Sequence, residues 1–245
     1  MTRSEPPGSS KRARARPPIE QLTRRVKSTS RRAMGRLTRR RTIQSYLRSH
    51  PVRKLQIGSG SSLLEEWLNT DIRPRRHERV LLDAARPFPI EDETFDYVFS
   101  EHVIEHLGFP EGLSMLRQCH RILRPRGRIR IATPNLERVA SLYANPKTEV
   151  QRAYIEYVTD HYIAQSRGYR ASFVINGHFA ILGHRFLYDP ETLEMAAREA
   201  GFDQFSWWEP GESGDPNLAG LESHGKIVGE EINRFETLVM EAVRP

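Results

Sequence analysis

Apolar and polar positions follow two rhythms along this chain, and the change between them falls at Pro51. Before it, Ile19, Leu22, Val26, Ala33, Leu37, Ile43 and Leu47 recur near multiples of a helical turn, with arginines filling the gaps. After it, short apolar runs predict strands over Val52–Ile57, Trp67–Ile72, Arg79–Asp83, Phe95–Ser100 and Gly127–Ala132. A helix is expected over Glu111–Leu123. Another opens at Asp189-Pro190, with Asp as N-cap and Pro at the first helical position, and closes at Gly201. Strand-like runs follow at Gln204–Trp208 and Glu236–Ala242. Seven strands alternating with helices predict an α/β fold, a doubly wound and mostly parallel sheet with helices on both faces. Residues 135–187, rich in Tyr, His and Arg, break this rhythm and read as a helical insertion or lid.

Charge divides the chain at nearly the same place. The net charge is +7 over 245 residues, but residues 1–50 hold 15 Lys/Arg against 2 Asp/Glu, leaving 23 basic and 29 acidic residues beyond them. The chain beyond residue 50 is therefore mildly acidic, and a domain over residues 36–245 is expected behind a basic, disordered tail, residues 1–35. The tail's helical spacing could lie on anionic lipid or touch nucleic acid; the plainer reading is a solvated extension whose last turns, about Arg36 to Ser49, pack on the domain. The acidic domain argues against a nucleic-acid partner. One cysteine, Cys119, excludes an internal disulfide and fits a reducing compartment. No apolar run approaches the roughly 20 residues that span a bilayer. The expected location is the cytoplasm, with peripheral contact to the inner face of the membrane left open for the tail.

Ligands of open parallel sheets bind beyond the carboxyl ends of the strands, and three predicted ends carry useful groups. Leu55-Gln56-Ile57-Gly58-Ser59-Gly60 is a strand entering a glycine turn, where the backbone can approach a ligand. Asp71 closes the second strand, placed either to take both hydroxyls of a ribose or to cap the next turn. Asp83 closes the third, where it could accept from an adenine amino group.

In this order, with "FPIEDETFDYVFSEHVIEHL" and "RILRPRGRIRIATP" after them, these residues resemble the class I S-adenosylmethionine-dependent methyltransferases, the type 11 group above all. The resemblance runs from about Leu55 to Thr133 and more loosely to the C-terminus, through "GHRFLYDPETLEMAAREAGF" and "GESGDPNLAGLESHG". It implies a Rossmann-like methyltransferase fold and S-adenosyl-L-methionine as cofactor. It also implies that Gly58, Ser59, Gly60, Asp71, Ile72, Asp83 and Ala84 line the cofactor pocket, with Ser100 and Glu101 nearby. The chain departs from the pattern in places. Gln56 stands where the family has an acid, Ser62 where it has a third glycine, and Pro125-Arg126-Gly127 replaces its "PGG" turn.

His102 to His106 also fit the H-x-x-E-H pattern of zinc peptidases, with Glu105 as base. The motif follows a predicted strand directly rather than lying inside a helix, so no metal ligand is assigned and a zinc hydrolase is the lesser alternative. His102, Glu101 and His106 stand where acceptor and methyl would meet and are the candidate catalytic groups; His178, His184 and His224 lie in segments that could fold over the pocket. The expected activity is methyl transfer to a small-molecule or saccharide acceptor, at a hydroxyl. Its rival is a non-catalytic cofactor-binding scaffold, suggested by Gln56 and Ser62.

Overall fold

The computed structural model describes residues 38–74 and 79–245, so the expected tail over 1–35 lies outside the described residues. Residues 38–49 form helix α1, which stops ahead of Pro51 because the residue before a proline avoids helical backbone. Ile43 and Tyr46 of α1 enter the main core. The Tyr46 hydroxyl takes the Lys54 N–H at 2.8 Å and lies 2.9 and 3.0 Å from the carbonyls of Lys54 and Glu66, which fastens α1 to the sheet.

Seven strands make that sheet: β1 Lys54–Ile57, β2 Leu68–Asp71, β3 Val80–Leu81, β4 Phe95–Glu101, β5 Leu123–Pro134, β6 Asp203–Trp208 and β7 Thr237–Val243. Their order is β3-β2-β1-β4-β5-β7-β6. The first five are parallel, while β7 runs antiparallel to both β5 and β6. Every expected strand is present with shifted ends. Leu123 already pairs with Phe95 ahead of a bulge, so β5 begins earlier than its apolar run. The chain reverses its winding between β1 and β4, which places a crevice at their carboxyl ends.

Helices α2 (Phe109–Ile122) and α6 (Pro190–Glu199) bury Leu116, Cys119, Ile122, Leu193 and Ala196 in one core with Val98, Ile129 and Ile131. Helix α6 starts as its sequence predicts: Thr192 N–H donates to Asp189 Oδ1 at 2.8 Å and Pro190 takes the first turn. It ends at Gly201, φ 105°, where a Cβ would sit 2.9 Å from the His120 ring.

The other face differs from expectation. Among the described residues, no α-helix connects β1 to β2, β2 to β3 or β3 to β4. A helical crossover needs about a dozen residues or more, and the stretch from Gly58 to Trp67 is too short for one. The segment 209–224, a strap without regular helix, covers that face. Its Leu218 and Leu221 pack on Trp67 and Phe99, whose rings meet edge-on at 6.2 Å.

The insertion is helical, as expected. Helices α3 (Leu136–Ser141), α4 (Glu149–Tyr162) and α5 (Ala171–Ala180) close around Leu142, Tyr154, Ile155, Val158 and Val174. Two short helices, α7 (Gly225–Val228) and α8 (Glu230–Glu236), lead from the strap into β7. Among the described residues, no helix is long and apolar enough to cross a membrane.

Candidate functional site

At the end of β1 the chain turns through Gly58, φ 70°, and Gly60, φ 52°. A Cβ on Gly58 would lie 2.2 Å from Cγ2 of Val103, so only glycine lets the turn pass beneath the end of β4. Ser59 N–H donates to the Thr70 carbonyl at 2.9 Å, and Gly60 N–H to Asp71 Oδ2 at 3.1 Å. The turn is thereby locked to the end of β2. A cavity of about 200 Å³ opens here, between Gln56 and the 58–62 turn on one side and Glu101, His102, Ser223 and His224 on the other. Gln56 Oε1, Ser59 Oγ and Ser100 Oγ are buried without a hydrogen-bond partner among the described residues. Buried polar atoms are ordinarily paired, so Gln56 and Ser59, which line this cavity, fit a cleft that takes a polar ligand; Ser100 is not among its lining residues.

Further along the same edge, Asp71 Oδ1 accepts from Arg73 N–H at 2.6 Å and Asp83 Oδ1 from Ala85 N–H at 3.1 Å. Ile72 is 45% exposed beside Asp71. Strand order sets Asp83 and Ala84, then Asp71 and Ile72, then the glycine turn, then Ser100 and Glu101 along neighbouring strand ends.

Glu101 holds the strap. Its carboxylate accepts from the backbone N–H groups of Ser223 and His224, each at 2.9 Å, and from Ser223 Oγ. Ser223 Oγ also lies 2.8 Å from Oγ of Ser62, so the serine in place of the third glycine is a tether. The neighbouring Glu222 receives Nε of Arg130 at 2.6 Å and the Gly211 N–H at 2.9 Å.

His102 is the corner of the site. Its backbone is left-handed, φ 50°, and its N–H donates to the Ala132 carbonyl at 2.9 Å. From here a second cavity of about 210 Å³ runs under the insertion, walled by histidines and by Tyr154, Tyr157 and Tyr162. His102 and His224 line both cavities. His102 Nδ1 lies 3.0 Å from Glu105 Oε1, and Thr133 Oγ1 donates to Glu105 Oε2 at 3.1 Å. His224 Nε2 lies 2.6 Å from Glu236 Oε1, and the two imidazole rings stand 4.2 Å apart. Deeper in, His178 Nε2 is 3.0 Å from the Tyr154 hydroxyl, and its Nδ1 is 3.1 Å from Nδ1 of His184. His106 sits at the rim against His184, its Nδ1 3.2 Å from the Gly183 carbonyl. The H-x-x-E-H spacing does not form a helical pair, because only Ile104–His106 is helical, as one 3₁₀ turn.

Burial alone would lower the His102 pKa. The Glu105 hydrogen bond and the negative field of Glu105, Glu236 and Glu101 reverse this and raise it to about 9. Burial would raise both carboxyls, yet the bond and charge of His102 bring Glu105 down, and His224 does the same for Glu236. Around His178 and His184 burial wins, and His184 falls to about 4. Of the cavity groups, Tyr154, Ser223 and Glu236 carry no spacing that marks them in the sequence. Glu236 stands at the α8–β7 junction, where a carboxylate is ordinary.

Residues 55–131 match the family model described as a methyltransferase domain, of type 11. No curated protein matches the sequence. Similar solved structures include an S-adenosylmethionine-dependent methyltransferase from Archaeoglobus fulgidus, 19% identical, covering 87% of this chain and 94% of that one with TM-score 0.46. Another is the methyltransferase of this cofactor class from Mesorhizobium loti, 16% identical over 82% and 96% of the two chains, TM-score 0.46. A third is Haemonchus contortus phosphoethanolamine N-methyltransferase 2 in complex with S-adenosyl-L-methionine, 16% identical over 80% and 49%, TM-score 0.42.

Proposed function

We propose that this chain is a class I S-adenosylmethionine-dependent methyltransferase, a reading supported by the match of residues 55–131 to the methyltransferase domain, and that it methylates a hydroxyl of a small polar acceptor, a saccharide or similar polyol. The observation that carries this reading is that the two cavities share His102 and His224, so a donor cleft and an acceptor cleft meet at one corner. The cofactor, when bound, supplies a methyl group already activated on a sulfonium. What the protein must add is alignment, exclusion of water and a path for the hydroxyl proton.

The glycine turn would hold the amino-acid end of the cofactor, with Ser59 and Gln56 offering unpaired polar atoms. Asp71 would hold the ribose hydroxyls, with Ile72, Asp83 and Ala84 on the adenine side. Glu101 is spent on the strap and acts as a positioning residue. The acceptor oxygen belongs against the His102 edge, where the neutral form of the imidazole, the minor form below a pKa of about 9, would take the hydroxyl proton. His106 contacts the acceptor from the rim. The tyrosines offer flat faces for C–H groups and hydroxyls for O–H groups, a pairing suited to a sugar ring.

The test incubates purified protein with methyl-labelled cofactor and a small-molecule extract, beside a thermal melt with S-adenosylhomocysteine. Label is expected in a low-mass product with wild type and not with His102→Ala, while the melt still shifts in both. A melt that shifts with no product from any extract would favour the non-catalytic binding protein instead.

A further inference from the structure

We infer that His102, His224 and Glu236 form a binding site for a divalent first-row transition cation of the zinc or iron(II) class, at the corner where the two cavities meet. One ligand atom from each of the three lies within 4.8 Å of the other two. A small rearrangement brings such atoms around one ion at bond lengths of about 2.0–2.2 Å. Two imidazoles and one carboxylate are a donor set that zinc and iron(II) accept while keeping positions open for other ligands.

The state of His102 points independently to a ligand. Its Nε2 is buried and has no hydrogen-bond partner among the described residues. Its Nδ1 is taken by Glu105, which is itself held by Thr133. A carboxylate that engages one ring nitrogen and leaves the other bare is the arrangement that orients metal-binding histidines. A purely structural histidine would have both nitrogens satisfied. The left-handed backbone of His102 adds to this, since non-glycine residues held there cluster at functional sites.

Charge balance favours the same ion. Glu105 is 0% exposed and Glu236 6%. Among the described residues, their ion-pair partners are His102 and His224, with no lysine or arginine. Two buried carboxylates need compensating positive charge, which a dication can supply in place of protons on the imidazoles. The 2.6 Å contact of His224 with Glu236 would open to admit the ion. A second grouping of Glu105, His106 and His184 is weaker, because both Glu105 oxygens are already engaged and His106 is exposed. The three ligands line the cavity under the insertion, so an acceptor oxygen there could take an open position of the ion. That consequence rests on the methyltransferase reading; the site itself does not.

The test uses tag-free, full-length protein stripped with a chelator and titrated with Co²⁺, following its ligand-field absorption, with elemental analysis after loading with Zn²⁺. The expected result is one ion per chain. His224→Ala and Glu236→Gln should each weaken binding roughly tenfold or more, with His106→Ala unaffected. A melt with S-adenosylhomocysteine on the same samples separates the questions. If it still shifts for Glu236→Gln, loss of metal there is not loss of fold. If it fails to shift for wild type, the methyltransferase reading falls and the metal result still stands. The proposal is overturned by wild-type protein that holds no stoichiometric ion, or by binding that survives both ligand substitutions. Loss of the ion in His106→Ala alone would overturn it equally, by placing the ion in the other cluster.

Discussion

The Glu101 carboxylate at the end of β4 accepts the backbone N–H groups of Ser223 and His224, which lie 122 and 123 positions further along the chain. Hydrogen bonds to a charged acceptor are the stronger kind, and here they close the strap over the cavity at the glycine turn. Glu101→Gln keeps the shape and removes the charge. It should cost about 1–3 kcal/mol of stability and raise the cofactor KM more than it lowers kcat. Hydrogen exchange over residues 211–224 should speed up. Unchanged exchange there would mean that Arg130 and the leucines hold the strap without help from Glu101.

Gly58 and Val103 give a second, sharper prediction. With the Gly58 backbone at φ 70° and Val103 Cγ2 standing 2.2 Å from any Cβ, Gly58→Ala meets both backbone strain and a clash. The strain alone is on the order of 1–3 kcal/mol. The thermal shift with S-adenosylhomocysteine should shrink or vanish. Adding Val103→Ala removes the clash but not the strain, so the double variant should recover part of the lost stability. Full recovery would show that the left-handed turn is not what requires glycine.

The sheet was legible because buried parallel strands read as short apolar runs bounded by turns, and β1 to β5 follow that pattern. The cap of α6 was legible for a similar reason: Asp189, Pro190 and Gly201 each do a local job that local sequence displays. The missing crossover helices were not. Their place is taken by the strap, and nothing local to Leu218 or Leu221 says that they pack on Trp67 and Phe99. The site divides in the same way. The glycine turn, which lines a cavity, announces itself at a strand end, and a histidine-rich insertion draws notice. The pairing of His224 with Glu236 depends on how α7 and α8 set two residues face to face, which nothing local to either residue displays.

Arg130 is a third point of attack. It is fully buried on β5 and pairs at 2.6 Å with Glu222 of the strap and with Glu241 of β7. Arg130→Met should destabilise the protein by about 3–5 kcal/mol, because it leaves two buried carboxylates without their counter-charge. Urea unfolding would measure it. Arg130→Met with Glu222→Gln and Glu241→Gln should regain much of the loss. If the triple variant is no better than the single one, the cost is packing and not charge.

The last prediction concerns pH. His184 is 8% exposed, and burial holds its pKa near 4, below the 6.5 of an unhindered imidazole. The groups that face it are Glu105, which opposes the shift, and His178, His106 and His102, which add to it. Between about pH 6.5 and 4 the unfolded chain binds a proton that the folded chain refuses. Stability from this residue is therefore complete above pH 6.5 and is lost as pH falls towards 4, at about 1.4 kcal/mol per pH unit. Protonation would also break the contact between His178 Nδ1 and His184 Nδ1, which needs one nitrogen bare. The measurement compares urea unfolding of wild type and His184→Asn at pH 7.5 and pH 5, so that titration common to both cancels. The stability advantage of wild type over the variant should be about 2 kcal/mol smaller at pH 5. An equal advantage at both values would mean that water reaches His184 and that the insertion does not seal the inner end of the cavity.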